Sequence, residues 1–409
     1  LVAKGVLTEQ EAKELKQEAN QDFTKAYQVK SGQPEWVTSL KLGGDFRGRY
    51  EGFFGDDPAF VDRNRLRYRV RVGLVATLKD NFEVGFRLTS DEAAKDTPNF
   101  GGDPIGANAT FQDNGSKKFV YIDLAYGKWK MLNTEEFKSA WTVGKMENPF
   151  VLSELVFDPD YTPEGLAQQF AYNLNEAHAL KLNLGGFVLD EFSQRSDSWL
   201  LGAQALWDAK WSSHWQSSLG VAALYIDQSQ LLTNSSVPNI NSGNTRRGGT
   251  GVLASDFYPV IGSGFLTYSL DSFSCYAGAF PIRVGGEFMH NPGADSANIG
   301  YWTGLQFGKS GKKGTYELSY RWKYLEGDAW YEELVDSDFG AFYGGVSART
   351  TAGDYRAGTN VRGHVVRASY SPYNALTLGV SCSFTELIDN AAAADSGMTR
   401  LQVDAILKF

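Results

Sequence analysis

The chain has 409 residues, 39 Lys and Arg against 48 Asp and Glu, a formal net charge of −9, and 42% hydrophobic residues. No run approaches the roughly 20 apolar residues of a spanning helix, and the acidic balance offers no basic surface for nucleic acid. Two cysteines, Cys275 and Cys382, exclude a disulfide framework, a four-cysteine zinc site and a c-type haem motif.

The first predicted element is a short amphipathic helix over Leu1–Ala26. Thr8 and Glu11 have capping-box spacing, and Ala12, Leu15 and Ala19 follow at helical spacing. Residues 31–35, with Gly32 and Pro34, read as a linker between this segment (1–30) and one domain over 36–409. The opening residues carry no basic-then-apolar leader, so an exported chain is expected to have lost its signal already.

From Trp36 the period becomes two. Leu40, Leu42, Gly44, Phe46, Gly48 and Tyr50 alternate with Lys41, Asp45, Arg47, Arg49 and Glu51, which puts the two sets on opposite faces of a strand. Leu66, Tyr68, Val70, Val72 and Leu74 alternate with Arg65, Arg67, Arg69 and Arg71, and Phe82, Val84, Phe86 and Leu88 with Glu83 and Arg87. The pattern recurs in Tyr316–Tyr324 and closes in Leu401, Val403, Ala405, Leu407 and Phe409 against Gln402, Asp404 and Lys408.

The alternation predicts about sixteen strands, an even number as bacterial barrels require. The spans are 36–53, 62–78, 81–91, 118–128, 139–147, 165–174, 177–190, 198–209, 213–227, 261–270, 274–290, 297–308, 314–325, 359–371, 374–386 and 398–409. Alternation is most blurred over 139–147 and 165–174, and fourteen strands is the other count the pattern allows. These segments exceed the soluble mean of about 5 or 6 residues and fit the roughly 9 to 11 of a tilted transmembrane strand. Short connections alternate with long ones near 92–117, 148–164, 228–260 and 326–358, as short periplasmic turns and long external loops would. A soluble sandwich also alternates, but here the apolar face is aromatic and the other too charged to pack, which suits a lipid-facing belt around a wet lumen. The expected class is all-β: a transmembrane antiparallel β-barrel after a short helix. Tyr301, Trp302, Trp322, Tyr324, Trp207 and Trp211 near segment ends suit interfacial girdles.

Four stretches, LVAKGVLTEQEAKEL, RNRLRYRVRVGL, GKMENPF and the terminal LQVDAILKF, resemble the bacterial outer-membrane putative porin family, in order over most of the chain. The terminal Phe409 also resembles the assembly signal of outer-membrane proteins. The resemblance implies a sixteen-stranded barrel, commonly a homotrimer, set in outer-membrane lipid and lipopolysaccharide, with the third external loop, about 148–164, folded inward. It implies passive diffusion of small hydrophilic solutes and ions, and no enzyme activity or cofactor.

Arg65, Arg67, Arg69 and Arg71 share one face, flanked by Arg47 and Arg49 on the preceding strand and Arg87 on the following one. Strands lie about 4.8 Å apart, so these form one cationic wall. It must face the lumen, because a guanidinium at mid-membrane costs roughly 2 to 4 kcal/mol. Glu147, Glu154, Asp158, Asp160 and Glu164 fall in the loop after Lys145. With that loop inward, they are expected to oppose the arginines across a constriction and align polar solutes. The competing reading is that Asp45, Glu51 and Glu83 neutralise the arginines, which then only keep the lumen wet. Asp158, Asp160 and Glu164 are a weak calcium candidate, short of ligands and interrupted by prolines.

His178, His214, His290 and His364 lie apart, with no HExxH, GxSxG or phosphate-binding glycine loop. An outer-membrane hydrolase is therefore only a formal alternative. Alternation puts Cys275 in the lumen and Cys382 toward lipid, too far apart to bond. A third reading is a barrel sheath of an electron conduit, which needs a partner cytochrome. The amino-terminal segment is expected in the periplasm, aiding trimer contacts through Leu7, Ala12 and Leu15 or reaching peptidoglycan, unless it is a frayed remnant.

Overall fold

The computed structural model describes residues 34–58, 60–92, 101–233, 235–239, 242–248, 251–340, 357–390 and 395–409. The helix expected over 1–26 lies outside them. The alternating segments form β1 (Val37–Gly55), β2 (Arg63–Leu78), β3 (Phe82–Asp91), β4 (Ala109–Thr110), β5 (Phe119–Asn133), β6 (Phe137–Lys145), β7 (Glu164–Asn173), β8 (His178–Asp190) and β9 (Ser198–Lys210). They continue with β10 (Trp215–Asp227), β11 (Val260–Leu270), β12 (Phe280–His290), β13 (Ile299–Gly308), β14 (Thr315–Leu325), β15 (Val361–Tyr373), β16 (Leu376–Leu387) and β17 (Met398–Lys408).

All seventeen belong to one sheet. Each wall strand pairs antiparallel with its neighbours in sequence, and β17 returns to β1 from Asp45 opposite Lys408 to Gly55 opposite Met398. The two-residue β4 pairs with β2 through Arg67–Thr110 and Tyr68–Ala109, taking over beyond the point where β3 stops pairing at Arg71–Thr89. The wall is therefore a closed sixteen-stranded barrel, which settles the count against fourteen. Closure leaves no sheet edge, so backbone donors and acceptors are satisfied without water.

One predicted boundary is wrong by six residues: β12 begins at Phe280, not 274. Ser274 to Ala277 belong to the turn after β11, where Cys275 is exposed in the left-handed region at φ 58°. Its expected lumenal strand position is therefore corrected to a turn. Cys382 lies on β16 among outward Leu378, Val380 and Phe384.

Every wall strand carries at least one exposed large apolar side chain, such as Leu42, Leu66, Phe86, Leu219, Leu318 and Val403. In water such a girdle would aggregate; in lipid it is the solvated face. Aromatic contacts band both ends. At the turn end Phe82 stacks on Trp129 at 5.8 Å and Trp215 lies 4.7 Å from Tyr268; at the loop end Tyr301 stacks on Tyr324 at 5.1 Å.

The hydrophobic core sits inside the barrel at the loop end. Phe187, Leu200, Leu224, Ile226, Ile261, Met289 and Trp302 point inward from β8 to β13 and pack on Phe150, Leu155, Phe157, Phe257, Trp330 and Tyr331 of the loops. Burying each large side chain contributes about 1.5 to 3 kcal/mol. The expectation of an entirely polar inner face is corrected here: one side of the lumen is a surface on which the long loops pack.

Candidate functional site

β1 and β2 build the arginine wall in register, with Asp45 opposite Arg71, Arg47 opposite Arg69, Arg49 opposite Arg67 and Glu51 opposite Arg65. Two of these four pairs are like-charged, which is unfavourable unless other groups intervene. Carboxylates do so. Arg65 binds Glu51 at 2.5 Å and Arg67 lies 3.7 Å from it. Arg49 grips Asp404 of β17 through Nε at 2.7 Å and Nη2 at 2.8 Å, and Nη1 reaches Asp338 at 3.0 Å. Arg69 donates to Asp45 at 2.8 Å, and Arg71 lies 3.6 Å from Asp123, which also binds Arg87.

Arg47 differs. Its Nη2 donates to Asn108 Oδ1 at 2.6 Å, its Nε has no partner, and no carboxylate lies within 4.0 Å of it among the described residues. Asn108, in the loop over 92–118, also accepts Arg67 Nη2 at its carbonyl, at 3.0 Å. Glu51 is the hub of the layer: fully buried, it accepts Arg400 Nε at 3.0 Å and Gln402 Nε2 at 2.9 Å besides Arg65.

The loop between β6 and β7, 146–163, crosses the lumen to reach β2, β9, β12, β14 and β15, and the residues at its base explain how. Gly144 and Gly165 are cross-strand partners just before and after it. A Cβ at Gly144, φ 111°, would lie 2.3 Å from the Ala125 carbonyl oxygen, and one at Gly165 2.2 Å from that of Gly186, so only glycine fits both. Inside, the Gln204 amide exchanges two hydrogen bonds with the Val151 backbone, each 2.8 Å. The Ser153 amide donates to Glu287 at 3.2 Å, and the Trp330 indole to the Val156 carbonyl at 2.9 Å.

Both charged ends of the loop meet cations, on different walls. Asp160 accepts Arg71 at 2.5 Å and Arg69 at 3.2 Å. Glu154 instead accepts Arg321 of β14 at 2.6 Å and Arg367 of β15 at 2.8 Å. Lys323 lies 3.7 Å from Glu154 and 2.6 Å from Asp336. Burial alone would raise the Glu154 carboxyl, but Arg367, Lys323 and Arg321 outweigh it and hold it well below the usual range. The same contest lowers Asp160 through Arg71 and Arg69, and lowers Asp338 strongly through Arg400 and Arg49.

Of the acidic residues expected to oppose the arginine wall, only Asp160 and Glu147 touch it, Glu147 through Arg87. Asp158 is buried against backbone, accepting the Asp160 and Ser337 amides at 2.8 and 2.9 Å. Burial and its acidic neighbours Asp160 and Asp336 push it well above the usual range. Glu164 pairs with Lys145 at 3.1 Å at the base of the loop. Asp158, Asp160 and Glu164 therefore do not converge, and among the described residues no group of three or more His, Cys, Asp or Glu is arranged to hold a metal. Of the carboxylates proposed to neutralise the wall, Asp45 and Glu51 do so, while Glu83 binds Lys130 at 2.9 Å.

Arg321, Lys323, Arg367, Arg400, Asp336, Asp338 and Asp404 complete the layer and were not singled out from sequence. Arg321 and Lys323 alternate with Tyr320 and Trp322, a visible signal. Asp336 and Asp338 follow β14, in a stretch of sequence where no period exists to place them.

Residues 56–258 match the model of a family described as "Putative porin". Over that stretch, just under half of its length, the chain is similar to this family. No curated relative matches it in sequence. The barrel is similar in fold to Pseudomonas putida OprB in its high-pH structure, at 9% identity and TM-score 0.51 over 90% of this chain and 94% of that one. It is also similar to Salmonella typhi OmpF in complex with daunomycin, at 10% identity and TM-score 0.51 over 90% and 97%. A sixteen-stranded barrel with an exposed apolar girdle is the architecture of an outer-membrane channel.

Proposed function

We propose that this barrel is a passive diffusion channel for small hydrophilic solutes and ions, with its constriction formed by the arginine wall and loop 146–163. The observation that carries the reading is Asp160, placed by an inward loop between Arg69 and Arg71. A solute passing there meets fixed charges of both signs, against which polar groups align while apolar ones must shed water. Because carboxylates sit directly on most of the guanidiniums, the field is set by the residue of charge around Arg47, and the channel favours anions weakly. A homotrimer in outer-membrane lipid and lipopolysaccharide, with the amino-terminal segment periplasmic, completes the proposal.

The apolar core of loop side chains inside the barrel speaks against a sheath around a cytochrome, because Phe257, Trp330 and Tyr331 occupy that volume. Liposome swelling tests the function. Proteoliposomes are expected to swell in pentoses and hexoses at rates that fall steeply with solute size, and swelling no faster than protein-free liposomes would refute it.

A further inference from the structure

Away from the constriction, at the turn end of the lumen, a cavity of about 890 Å³ is lined by inward residues of β8 to β14, among them Gln216, Thr267, Arg283, Gln306 and Glu317. Its volume lies within the usual range for small-molecule sites, about 300 to 1,000 Å³. The charges that line it are of two kinds. Asp208 is occupied by Lys181 at 2.7 Å and by the Ser218 hydroxyl at 2.6 Å, and Glu176, Lys210 and Lys309 lie at the turns or a strand's last residue. Arg283 and Glu317 lie on wall strands, at the fourth residue of β12 and the third of β14, and neither has a hydrogen-bond or ion-pair partner among the described residues.

Such an arrangement is unusual in this molecule, where the other lumenal guanidiniums described above are hydrogen-bonded. Arg283 is exposed, yet its guanidinium is held in place over the Phe265 ring at 4.0 Å. Glu317 is half-buried two strands away. Arg283 stands opposite Gln306, Gln306 opposite Ser319, and Glu317 is two residues closer to the turns. Strand spacing and rise put the two Cα atoms roughly 12 Å apart; the side chains form no direct ion pair, and both line the same cavity. One cation, held over an aromatic ring, and one anion, both without a polar partner, present a dipole to whatever enters.

We propose that this vestibule is a binding site for small zwitterions, α-amino acids and short peptides, with Arg283 docking the carboxylate and Glu317 the ammonium group. Gln306, between them in the sheet, donates its Nε2 to the Gly308 carbonyl at 3.0 Å and leaves its Oε1 to accept from the solute's own polar middle. The inference rests on the diffusion-channel reading for its physiological use, but the binding itself does not require conduction.

Calorimetric titration of the detergent-solubilised barrel tests it with four probes of one backbone. These are glycylglycine with both charges, N-acetylglycine with the carboxylate only, glycine methylamide with the ammonium only, and N-acetylglycine methylamide with neither. Glycylglycine is expected to bind roughly tenfold or more tightly than either singly charged probe. Arg283→Gln and Glu317→Gln are each expected to remove that advantage while leaving salt conductance and heat-modifiable gel mobility as in the wild type. No binding of glycylglycine overturns the proposal, and so does equal binding of N-acetylglycine or indifference to Glu317→Gln, either of which marks a plain anion site. Conductance of the same preparation in potassium chloride separates failure of this site from failure of the channel reading.

Discussion

Glu51 shows how a single residue inside this barrel holds its seam together. It is fully buried and shared by Arg65, Arg67 and Arg400, two of them on β2 and one on β17, so it ties both partners of β1 at the closing seam. Removing one member of a buried ion-paired group costs about 3 to 5 kcal/mol, because the remaining charges lose their counter-charge. Glu51→Gln is expected to lower resistance to urea unfolding in lipid vesicles by that amount, whereas Glu164→Gln, at an exposed pair, is expected to change it by less than about 1 kcal/mol. Selectivity belongs to other residues. Asp160→Asn removes the negative charge shared by Arg69 and Arg71 and is expected to raise the anion-to-cation permeability ratio several-fold, while Arg67→Glu and Arg69→Glu shift it toward cations; reversal potentials in a salt gradient read both. The arginines were legible in sequence because alternation with Leu66, Tyr68 and Val70 fixes their face. Their partners were not, since Asp338, Asp404 and Arg400 lie more than 280 residues from Arg49 or Glu51 along the chain.

Strand bounds were readable to within two residues, except that β5 runs on to Asn133 where 128 was expected and β12 starts late, because a period of two assigns faces and the turns interrupt it. The exceptions are instructive. Phe273 to Phe280 continues the aromatic run into a turn, where Phe273 stacks on Phe280 at 4.3 Å, so composition extended β12 too far. Leu200, Leu224 and Ile226 place apolar side chains on the inward face, a break in alternation that signals the loop core once loop positions are known. The inward course of loop 146–163 rests on Gly144 and Gly165, and Gly144→Val is expected to unseat it, raising single-channel conductance and loosening size exclusion in the swelling assay. The loops also respond to pH in two senses. Asp338, Glu154 and Asp160 have lowered values in the folded barrel, so their contribution is present at neutral pH and is lost only as pH falls through those lowered values. Permeability ratios are therefore expected to hold steady through the ordinary carboxylate range near pH 4. Glu333 is raised by burial and by Glu332, although the Asn239 amide that donates to it at 3.1 Å favours its charged form, so the loop contact is most stable with Glu333 protonated and loses stability, through burial of charge beside Glu332, as pH rises from the ordinary carboxylate range toward the raised value. Alkaline pH is expected to increase open-channel noise, and Glu333→Gln to abolish that increase.

The molecule as a whole is a lipid-facing cylinder whose interior is divided. β8 to β13 hold an apolar loop core at one end and a polar vestibule at the other, while β1 to β3 and β14 to β17 carry the charged layer. Charge in the lumen is nearly self-compensated, which is why the formal net charge of −9 carries little information about selectivity. Barrel closure was legible from strand number and loop asymmetry, but the filling of the lumen was not, because it depends on loops whose sequences have no period. Planar-bilayer recording of the purified protein tests the diffusion-channel account most directly. Stepwise open-channel currents with a reversal potential on the anion side are predicted, and absence of conductance at every applied voltage would contradict it.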